Sequence, residues 1–375
     1  QAGVNPIPTA PGFKAKDGQP ARYPPRHALA VQSVRFVGEA VVAVIATDRT
    51  HALAAAEQVI VDYEELPAVT DPALAARADA PTLFPEAGGN VVVCAAHGDA
   101  ARTAAAFAAA AHVVTLPIEH PRLLAMALEP RAAVALFDAG TGRVTLHTCN
   151  QTPGRLRDGL AGAVLKMPPA NLRVRVGDIG GGFGMKTAIS PEEVVVAHAA
   201  RVLGRTVRWR ADRSEEFLAG THGRAVSVRA ELALDGQGHF LGLRVRALAD
   251  LGAYASGGGA MVQSVLGPRV ATGVYHIPAL DLQVESVLTN TVPVAPYRGA
   301  GRPENIYNLE RLIDVGYIDL VCQVGSPRSI ATSMSAPPRF TRTVVRATWT
   351  SNCARRAFNC LAFSALQILW PLLRA

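Results

Sequence analysis

The chain has 375 residues, with 37 lysines and arginines against 30 aspartates and glutamates and a net charge of +7. Its hydrophobic fraction of 49% supports a buried core, and the moderate glycine and proline content excludes disordered, collagen-like and coiled-coil chains. At roughly 100–200 residues per domain, the length predicts two or three domains.

The positive charge lies mostly in one segment, residues 316–375. This segment contains seven arginines and a single acid, Asp319, so it carries +6 and residues 1–315 carry +1. A nucleic-acid-binding domain needs a basic patch on its folded surface. The near-neutral main body therefore does not support nucleic-acid binding.

Residues 27–66 predict a compact α+β unit. Two β-rich runs, 31–37 and 40–45, precede an alanine-rich helix over 47–59 with Thr47 or Asp48 as N-cap, and a third strand follows over 60–63. Residues 67–89, rich in proline and alanine, predict a connection between domains.

A second, larger unit extends to residue 315. Its clearest signals are alternating strands and helix-start signals: strands over 144–148, 172–179, 224–234 and 240–247, a turn at 235–238, a helix start at Pro153, and a helix from the SPEE string at 190–193 to Gly204. The regular βαβ rhythm of a doubly wound sheet is missing, so we predict an α+β fold.

Residues 316–375 differ in composition from the rest. They hold three of the five cysteines and two of the three tryptophans, and no helix or strand period runs through 326–359. We interpret this segment as an aberrant tail translated in the wrong reading frame. The alternatives are a basic surface tail or a small extra module.

Targeting and metal signals are scarce. The most apolar stretch, 357–373, contains Asn359, Gln367 and Pro371, so we predict no membrane span. Five cysteines without a CxxC pair or a secretory signal predict neither disulfides nor a zinc site, and favour a cytoplasmic location. Because the chain begins at Gln1 and its first methionine is Met126, we expect that its beginning is cut.

The most unusual string is GGGFGMK at residues 180–186. Glycines let the backbone adopt positive φ and let a polar ligand contact amide N–H groups. A P-loop and a dinucleotide-binding fingerprint both fail at Met185, where each needs glycine. A plain strand-to-helix turn is the alternative interpretation.

Two further loops could bind a ligand. Gln151 follows the predicted strand 144–148, and the YRGAGRPE string at 297–304 carries Arg298 and Arg302. A guanidinium presents a fixed fork of donors for anionic oxygens. Taken singly, a loop such as the first is more often a solvated amide, and one such as the second is more often a charged surface turn.

The order of these three loops resembles the molybdopterin-binding large subunit of the molybdenum hydroxylases, the family of xanthine dehydrogenase, aldehyde oxidase and aerobic carbon monoxide dehydrogenase. The resemblance covers residues 1–315. Further matching strings are VRFVGEAV at 34–41, VDYE at 61–64, EPR at 129–131, DR at 212–213, HGR at 222–224, LGAY at 251–254 and TNT at 289–291.

The resemblance implies a domain organisation. Residues 1–71 are similar to a partial α/β hammerhead domain, 72–89 form a linker, 90–315 are similar to the first half of the molybdopterin-binding domain, and 316–375 form the aberrant tail. The expected chain is thus truncated at both ends.

The resemblance also implies a site. The cofactor is expected to be molybdenum–molybdopterin, with its cytosine dinucleotide form left open, and the partners a FAD-containing medium subunit and a small subunit with 2Fe–2S clusters. Gln151 matches the glutamine that donates to an oxygen ligand of molybdenum. The expected cofactor-binding residues are Gln151, Gly181, Gly182, Phe183, Gly184 and Arg298.

No catalytic residue is assigned, because the family's glutamate base lies in a region that these residues do not match. We therefore expect this chain alone to be inactive. Carbon monoxide dehydrogenases have cysteine at the place of Gly299, and purine hydroxylases have glutamate at the place of Thr187. An aldehyde or another N-heteroaromatic substrate fits better. The alternatives are a non-catalytic binding or assembly module, and a nucleotide-binding protein that uses residues 180–186.

Overall fold

The computed structural model describes residues 4–9, 12–15, 17–255 and 258–324. The predicted aberrant tail thus lies outside the described residues, apart from 316–324. The helices are α1 (Arg49–Ala56), α2 (Pro72–Ala75), α3 (Ala100–Ala108), α4 (Pro153–Asp158), α5 (Pro191–Leu203), α6 (Arg213–Ala219), α7 (Gly259–Met261) and α8 (Arg302–Val324). The strands are β1 (Val91–Gly98), β2 (His112–His120), β3 (Leu123–Leu124), β4 (Ala132–Asp138), β5 (Arg143–Thr148), β6 (Leu172–Arg175), β7 (Val207–Arg210), β8 (His222–Gly223), β9 (Val226–Leu234), β10 (Phe240–Gly252) and β11 (Leu280–Leu288). The α+β class is confirmed.

The larger sheet has the strand order β1-β11-β10-β9-β2. Its pairs are antiparallel except β10 with β11, which run parallel. The predicted hairpin is present as β9 and β10, and the N–H of Gly238 donates to the carbonyl of Asp235 in its turn at 3.1 Å. Leucines and valines alternate inward along these strands and pack against Leu309 and Leu312 of α8.

The second sheet has the order β6-β5-β4-β7, and α5 covers it. The predicted helix start is confirmed: the Ser190 side chain accepts from the N–H of Glu193, and the Glu193 carboxylate accepts from the N–H of Ser190. The helix ends at Leu203, and Gly204 after it has its backbone in the left-handed region. Because β5 and β6 are parallel neighbours, their carboxyl ends lie at one edge of this sheet.

The strands predicted over 31–37, 40–45 and 60–63 are wrong, since the described structure has no strand in residues 27–66. A strand is defined by the ladder of hydrogen bonds to a neighbour. Here the N–H of Ala30 donates to the carbonyl of Ala40, but no ladder follows. Several apolar side chains of these runs face outward, with Val37 77% and Ile60 94% exposed. The helix between them is confirmed as α1, capped by Asp48.

The N-terminal segment is nevertheless fixed to the larger unit. The Tyr254 hydroxyl donates to the Glu39 carboxylate at 2.6 Å, and burial together with Glu39 raises the pKa of Tyr254. The Asn290 side chain accepts from the N–H of Val69 and donates to the carbonyl of Arg35. One asparagine thereby holds two separate parts of the N-terminal segment.

Residues 72–89, predicted as a linker, contribute side chains to the hydrophobic core. Phe84 is only 3% exposed, and its ring lies 5.5 Å from that of Tyr254. No helix in the described part of the chain combines the length and the apolar character needed to cross a bilayer.

Candidate functional site

The first loop of the site begins where β5 ends. Asn150 is buried and fixes the loop, because its side-chain oxygen accepts from the N–H of Thr152 and its side-chain nitrogen donates to the carbonyl of Ala188. The N–H of Gln151 donates to the carbonyl of Lys186 at 2.7 Å. Gln151 is therefore joined to the glycine loop by its own backbone.

The side chain of Gln151 is oriented by the glycine loop. Its Oε1 accepts from the N–H of Gly184 at 2.9 Å. Because an N–H can only donate, this contact fixes which end of the amide faces the loop. The Nε2 group has no partner among the described residues and is free to donate two hydrogen bonds to a ligand.

The glycine loop itself adopts conformations that favour glycine. Gly181 and Gly184 have φ of +98° and +103°, and Phe183 has φ of +50° although it carries a side chain. A Cβ atom on Gly182 would lie 2.5 Å from Oε1 of Gln151, and one on Gly184 would overlap the carbonyl of Pro296. The loop can approach its neighbours this closely only because these positions are glycine.

Three consecutive amides of this loop are available for a ligand. Across the described structure, the N–H groups of Gly181, Gly182 and Phe183 have no hydrogen-bond acceptor. The Phe183 ring beside them is 44% exposed. Successive unpaired N–H groups in left-handed turns form a concave site for an anionic or oxo group.

Both ends of the glycine loop are held by Glu129. Its carboxylate accepts from the N–H of Gly180 at 2.9 Å and from Nζ of Lys186 at 2.8 Å, and its backbone carbonyl also accepts from Nζ. The Lys186 side chain is 1% exposed. A lysine that is buried and paired in this way cannot reach a nucleotide phosphate, so the nucleotide-binding interpretation of residues 180–186 loses its cation.

The third loop contacts the glycine loop directly. The N–H of Arg298 donates to the carbonyl of Phe183 at 2.9 Å. The guanidinium of Arg298 is exposed and has no partner among the described residues. It remains available for an anionic ligand.

Arg131, two residues after Glu129 in the chain, belongs to a largely buried group of charged side chains. Arg131 pairs with Glu192 and Glu216 at 2.9 and 2.8 Å and lies over the Trp209 ring. Burial alone would lower the pKa of Arg131, but the two carboxylates outweigh it and raise the pKa. Arg131 therefore stays charged.

Glu193 joins the first loop to helix α5. Its carboxylate accepts from the hydroxyl of Thr148 at 2.7 Å and from the side-chain nitrogen of Asn150 at 3.4 Å. Burial raises the pKa of Glu193 above its ordinary 4.5 because the charged form is desolvated.

The structure brings together all six residues predicted from the sequence: Gln151, Gly181, Gly182, Phe183, Gly184 and Arg298. Sequence reasoning did not assign roles to Glu129, Lys186 or Arg224, which hold the loops. Their strings were recognised as matching segments, but a lone carboxylate or cation carries no signal of its partner. Within the described ranges, no group of three His, Cys, Asp or Glu side chains could hold a metal ion.

Two sequence profiles match the chain. Residues 83–315 match the molybdopterin cofactor-binding domain, and residues 7–67 match the aldehyde oxidase and xanthine dehydrogenase a/b hammerhead domain. The chain belongs to the molybdenum hydroxylase family. Within this family it corresponds to part of the molybdopterin-binding large subunit.

Individual relatives agree with this assignment. The gamma subunit of the 6-hydroxypseudooxynicotine dehydrogenase complex of Paenarthrobacter nicotinovorans is 36% identical over 295 residues, which are 78% of this chain and 36% of the relative. The carbon monoxide dehydrogenase large chain of Hydrogenophaga pseudoflava is 35% identical, over 76% of this chain and 37% of the relative. The chain thus spans little more than a third of the curated relatives it matches.

A solved structure of the family is similar in fold. The crystal structure of quinoline 2-oxidoreductase from Pseudomonas putida 86 superposes with a TM-score of 0.78 at 34% identity. The match covers 96% of this chain and 46% of that chain.

Proposed function

We propose that the three loops around Gln151, Phe183 and Arg298 form the part of a molybdenum hydroxylase pocket that receives the molybdenum–pterin cofactor. The observation that carries this proposal is the convergence of unused donors: the Gln151 amide, three backbone N–H groups and the Arg298 guanidinium. The cofactor is rich in oxygen and anionic groups, so a site lined by hydrogen-bond donors fits it.

Each donor has a separate task. Gln151, fixed by the N–H of Gly184, donates through Nε2 to the cofactor. The amides of residues 181–183 contact it from the loop backbone, and Arg298 offers its fork to an anionic oxygen. When bound, the cofactor supplies the two-electron oxidation by which a water-derived oxygen enters a C–H bond. The protein positions the cofactor and excludes competing orientations.

We propose an aldehyde or an N-heteroaromatic compound as substrate. A cysteine at position 299, as in carbon monoxide dehydrogenases, does not suit this loop, because Gly299 has φ of +94° and an added Cβ would overlap the Pro303 ring. The hydroxyl of Thr187 donates to the carbonyl of Gly184 at 2.7 Å, so this position helps to close the loop and offers no carboxylate to a purine.

The remaining parts of the enzyme are also proposals. Relatives are named as a large chain, a large subunit or a subunit gamma, which supports assembly with other subunits. We infer a FAD-containing medium subunit, a small subunit with 2Fe–2S clusters, and the cytosine dinucleotide form of molybdopterin as the form to test first. Because the chain spans about a third of its relatives, we infer that these 375 residues alone do not turn over substrate.

The test is cofactor binding by the purified 375-residue chain. The chain is produced in cells that make molybdopterin, and molybdenum and pterin are measured per chain. We expect both to be retained by the wild type and lost in Arg298→Ala. Retention of neither by the wild type contradicts the proposed site, and benzaldehyde or nicotinate oxidation with stoichiometric molybdenum contradicts the proposed inactivity.

A further inference from the structure

Arg224 lies at an unusual place in the backbone, between β8 and β9. Arg224 and Ala225 have φ of +66° and +61°, two successive non-glycine residues in the left-handed region. Non-glycine residues adopt this conformation rarely, and they keep it where the surrounding structure holds them. The Arg224 side chain is 13% exposed, so the turn directs this guanidinium into the protein.

Among the described residues, the Arg224 guanidinium contacts Arg298, Tyr297 and Glu304, which belong to the third loop or to the helix that follows it. One nitrogen donates to the backbone carbonyl of Arg298 at 3.0 Å. The guanidinium carbon lies 4.9 Å from the centre of the Tyr297 ring. A second nitrogen lies 2.7 Å from a carboxylate oxygen of Glu304, in the first turn of α8.

Glu304 depends on this arginine. Its side chain is 3% exposed, and its two oxygens have no directed hydrogen bond within the described structure. A buried carboxylate is costly unless a positive charge lies close to it, and removal of one partner leaves the other uncompensated. The ion pair therefore fixes Arg224 as well as Glu304.

The third loop turns tightly, and the N–H of Ala300 donates to the carbonyl of Tyr297 at 2.7 Å. Gly299, Ala300 and Gly301 all have positive φ, and Arg302 opens α8. Gly223 packs so closely on Tyr297 that a Cβ there would overlap the Tyr297 side chain. Arg224 thus donates to the backbone of Arg298, whose guanidinium has no partner among the described residues.

We propose that Arg224 is a positioning residue, held by Glu304, that sets the direction in which Arg298 presents its guanidinium to the molybdenum–pterin cofactor. This inference rests on the proposed function, since it assigns Arg298 a ligand. Arg224 holds the backbone of Arg298 by a hydrogen bond and its neighbour Tyr297 by stacking, and it acts on the cofactor only through Arg298.

The test uses the 375-residue chain with Arg224→Lys and Glu304→Gln. Lysine keeps the positive charge opposite Glu304, but a single ammonium cannot pair with Glu304, donate to the Arg298 carbonyl and stack on the Tyr297 ring at the same time. We expect Arg224→Lys to keep a melting temperature close to the wild type. We also expect faster hydrogen exchange confined to residues 296–301, and roughly fivefold less molybdenum and pterin per chain, the effect of one lost hydrogen bond. Glu304→Gln should change the same loop and lower cofactor content in the same direction.

Arg229→Lys is the matched control, because Arg229 lies on the adjacent strand β9 with its side chain 63% exposed. It should leave both readouts at wild-type values. Unchanged exchange at 296–301 and full cofactor content in Arg224→Lys overturn the proposal. Faster exchange throughout the domain with a large fall in melting temperature also overturns it, since the pair would then be a general structural pin.

The two proposals fail differently. A wild-type chain that takes up no cofactor contradicts the proposed function, while local exchange at 296–301 still reports whether Arg224 holds the loop. If the wild type and Arg224→Lys bind the same amount of cofactor, the positioning role of Arg224 is contradicted, and the proposed function is not.

Discussion

The backbone N–H of Arg298 donates to the carbonyl of Phe183 at 2.9 Å, although 115 residues separate them in the chain. This bond joins the third loop to the glycine loop, and the Gln151 side chain joins the glycine loop to the first. The three loops therefore form one bonded unit. A change that separates two of them should disturb the third.

Gly184→Ala tests this unit. A Cβ at this position would overlap the carbonyl of Pro296, and the φ of +103° is itself unfavourable for alanine, at a cost of about 1–2 kcal/mol. We expect a lower melting temperature, and faster hydrogen exchange in both 180–186 and 296–301. Gly236→Ala is the control, since Gly236 lies in an exposed turn with nothing within 4 Å of its added Cβ. Exchange that rises at 180–186 only would contradict the coupling.

Gln151 can be tested for its two functions separately. Gln151→Glu keeps an oxygen that accepts from the N–H of Gly184 but removes both Nε2 donors, whereas Gln151→Leu removes acceptor and donors together. We expect Gln151→Glu to keep the loop's hydrogen exchange near the wild-type rate and to lose roughly tenfold in cofactor retention, as expected for a lost hydrogen bond and added negative charge. Gln151→Leu should lose retention and also accelerate exchange at Gly184. Equal retention in the wild type and Gln151→Glu would show that the amide donors are not used.

Local sequence signals predicted much of the fold and part of the site. The capping box at Ser190, the β9–β10 hairpin and the helix capped by Asp48 each depend on contacts within about five residues, and all were predicted. The N-terminal strands were predicted wrongly because a strand depends on a distant partner, which alternation alone does not reveal.

The site shows the same division. The glycines of the second loop and the two other loops could be found from residue type and order. The clasp of Glu129 on Lys186 and the pairing of Arg224 with Glu304 span 57 and 80 residues, and one sequence does not show which distant charges meet. The resemblance of the three loops to a known family supplied the convergence that spacing could not.

Glu193 should make stability depend on pH. Because burial raises its pKa above 4.5, the folded state holds this proton more tightly than the unfolded state does. The contribution of Glu193 to stability is therefore fully present below about pH 4.5 and is lost as pH rises through the higher folded value. Glu193→Gln removes this titration and still supplies an acceptor for the N–H of Ser190.

The measurement for Glu193 is the melting temperature from pH 4.5 to 8. We expect the difference between Glu193→Gln and the wild type to shift in favour of the variant as pH rises. Glu57→Gln, at an exposed position after α1, is the control for replacing a glutamate by glutamine. A difference between Glu193→Gln and the wild type that does not change with pH would show that the buried carboxyl does not titrate in this range.

Asn290→Ala tests how the N-terminal segment is held. The Asn290 side chain satisfies the N–H of Val69 at 2.9 Å and the carbonyl of Arg35 at 3.0 Å, and both groups would lose their partner. Each unsatisfied group costs about 1–3 kcal/mol when water cannot replace the bond, so we expect the free energy of unfolding in urea to fall by about 2–4 kcal/mol. Hydrogen exchange should rise around residues 35 and 69, and the glycine loop should stay protected because it is held by Glu129 instead.

Asn171→Ala is the control. The Asn171 side chain has no hydrogen bond in the described structure, so this variant should leave stability within about 0.5 kcal/mol of the wild type. A loss in Asn290→Ala no larger than in Asn171→Ala would mean that other contacts, such as that of Glu39 with Tyr254, suffice to fix the segment.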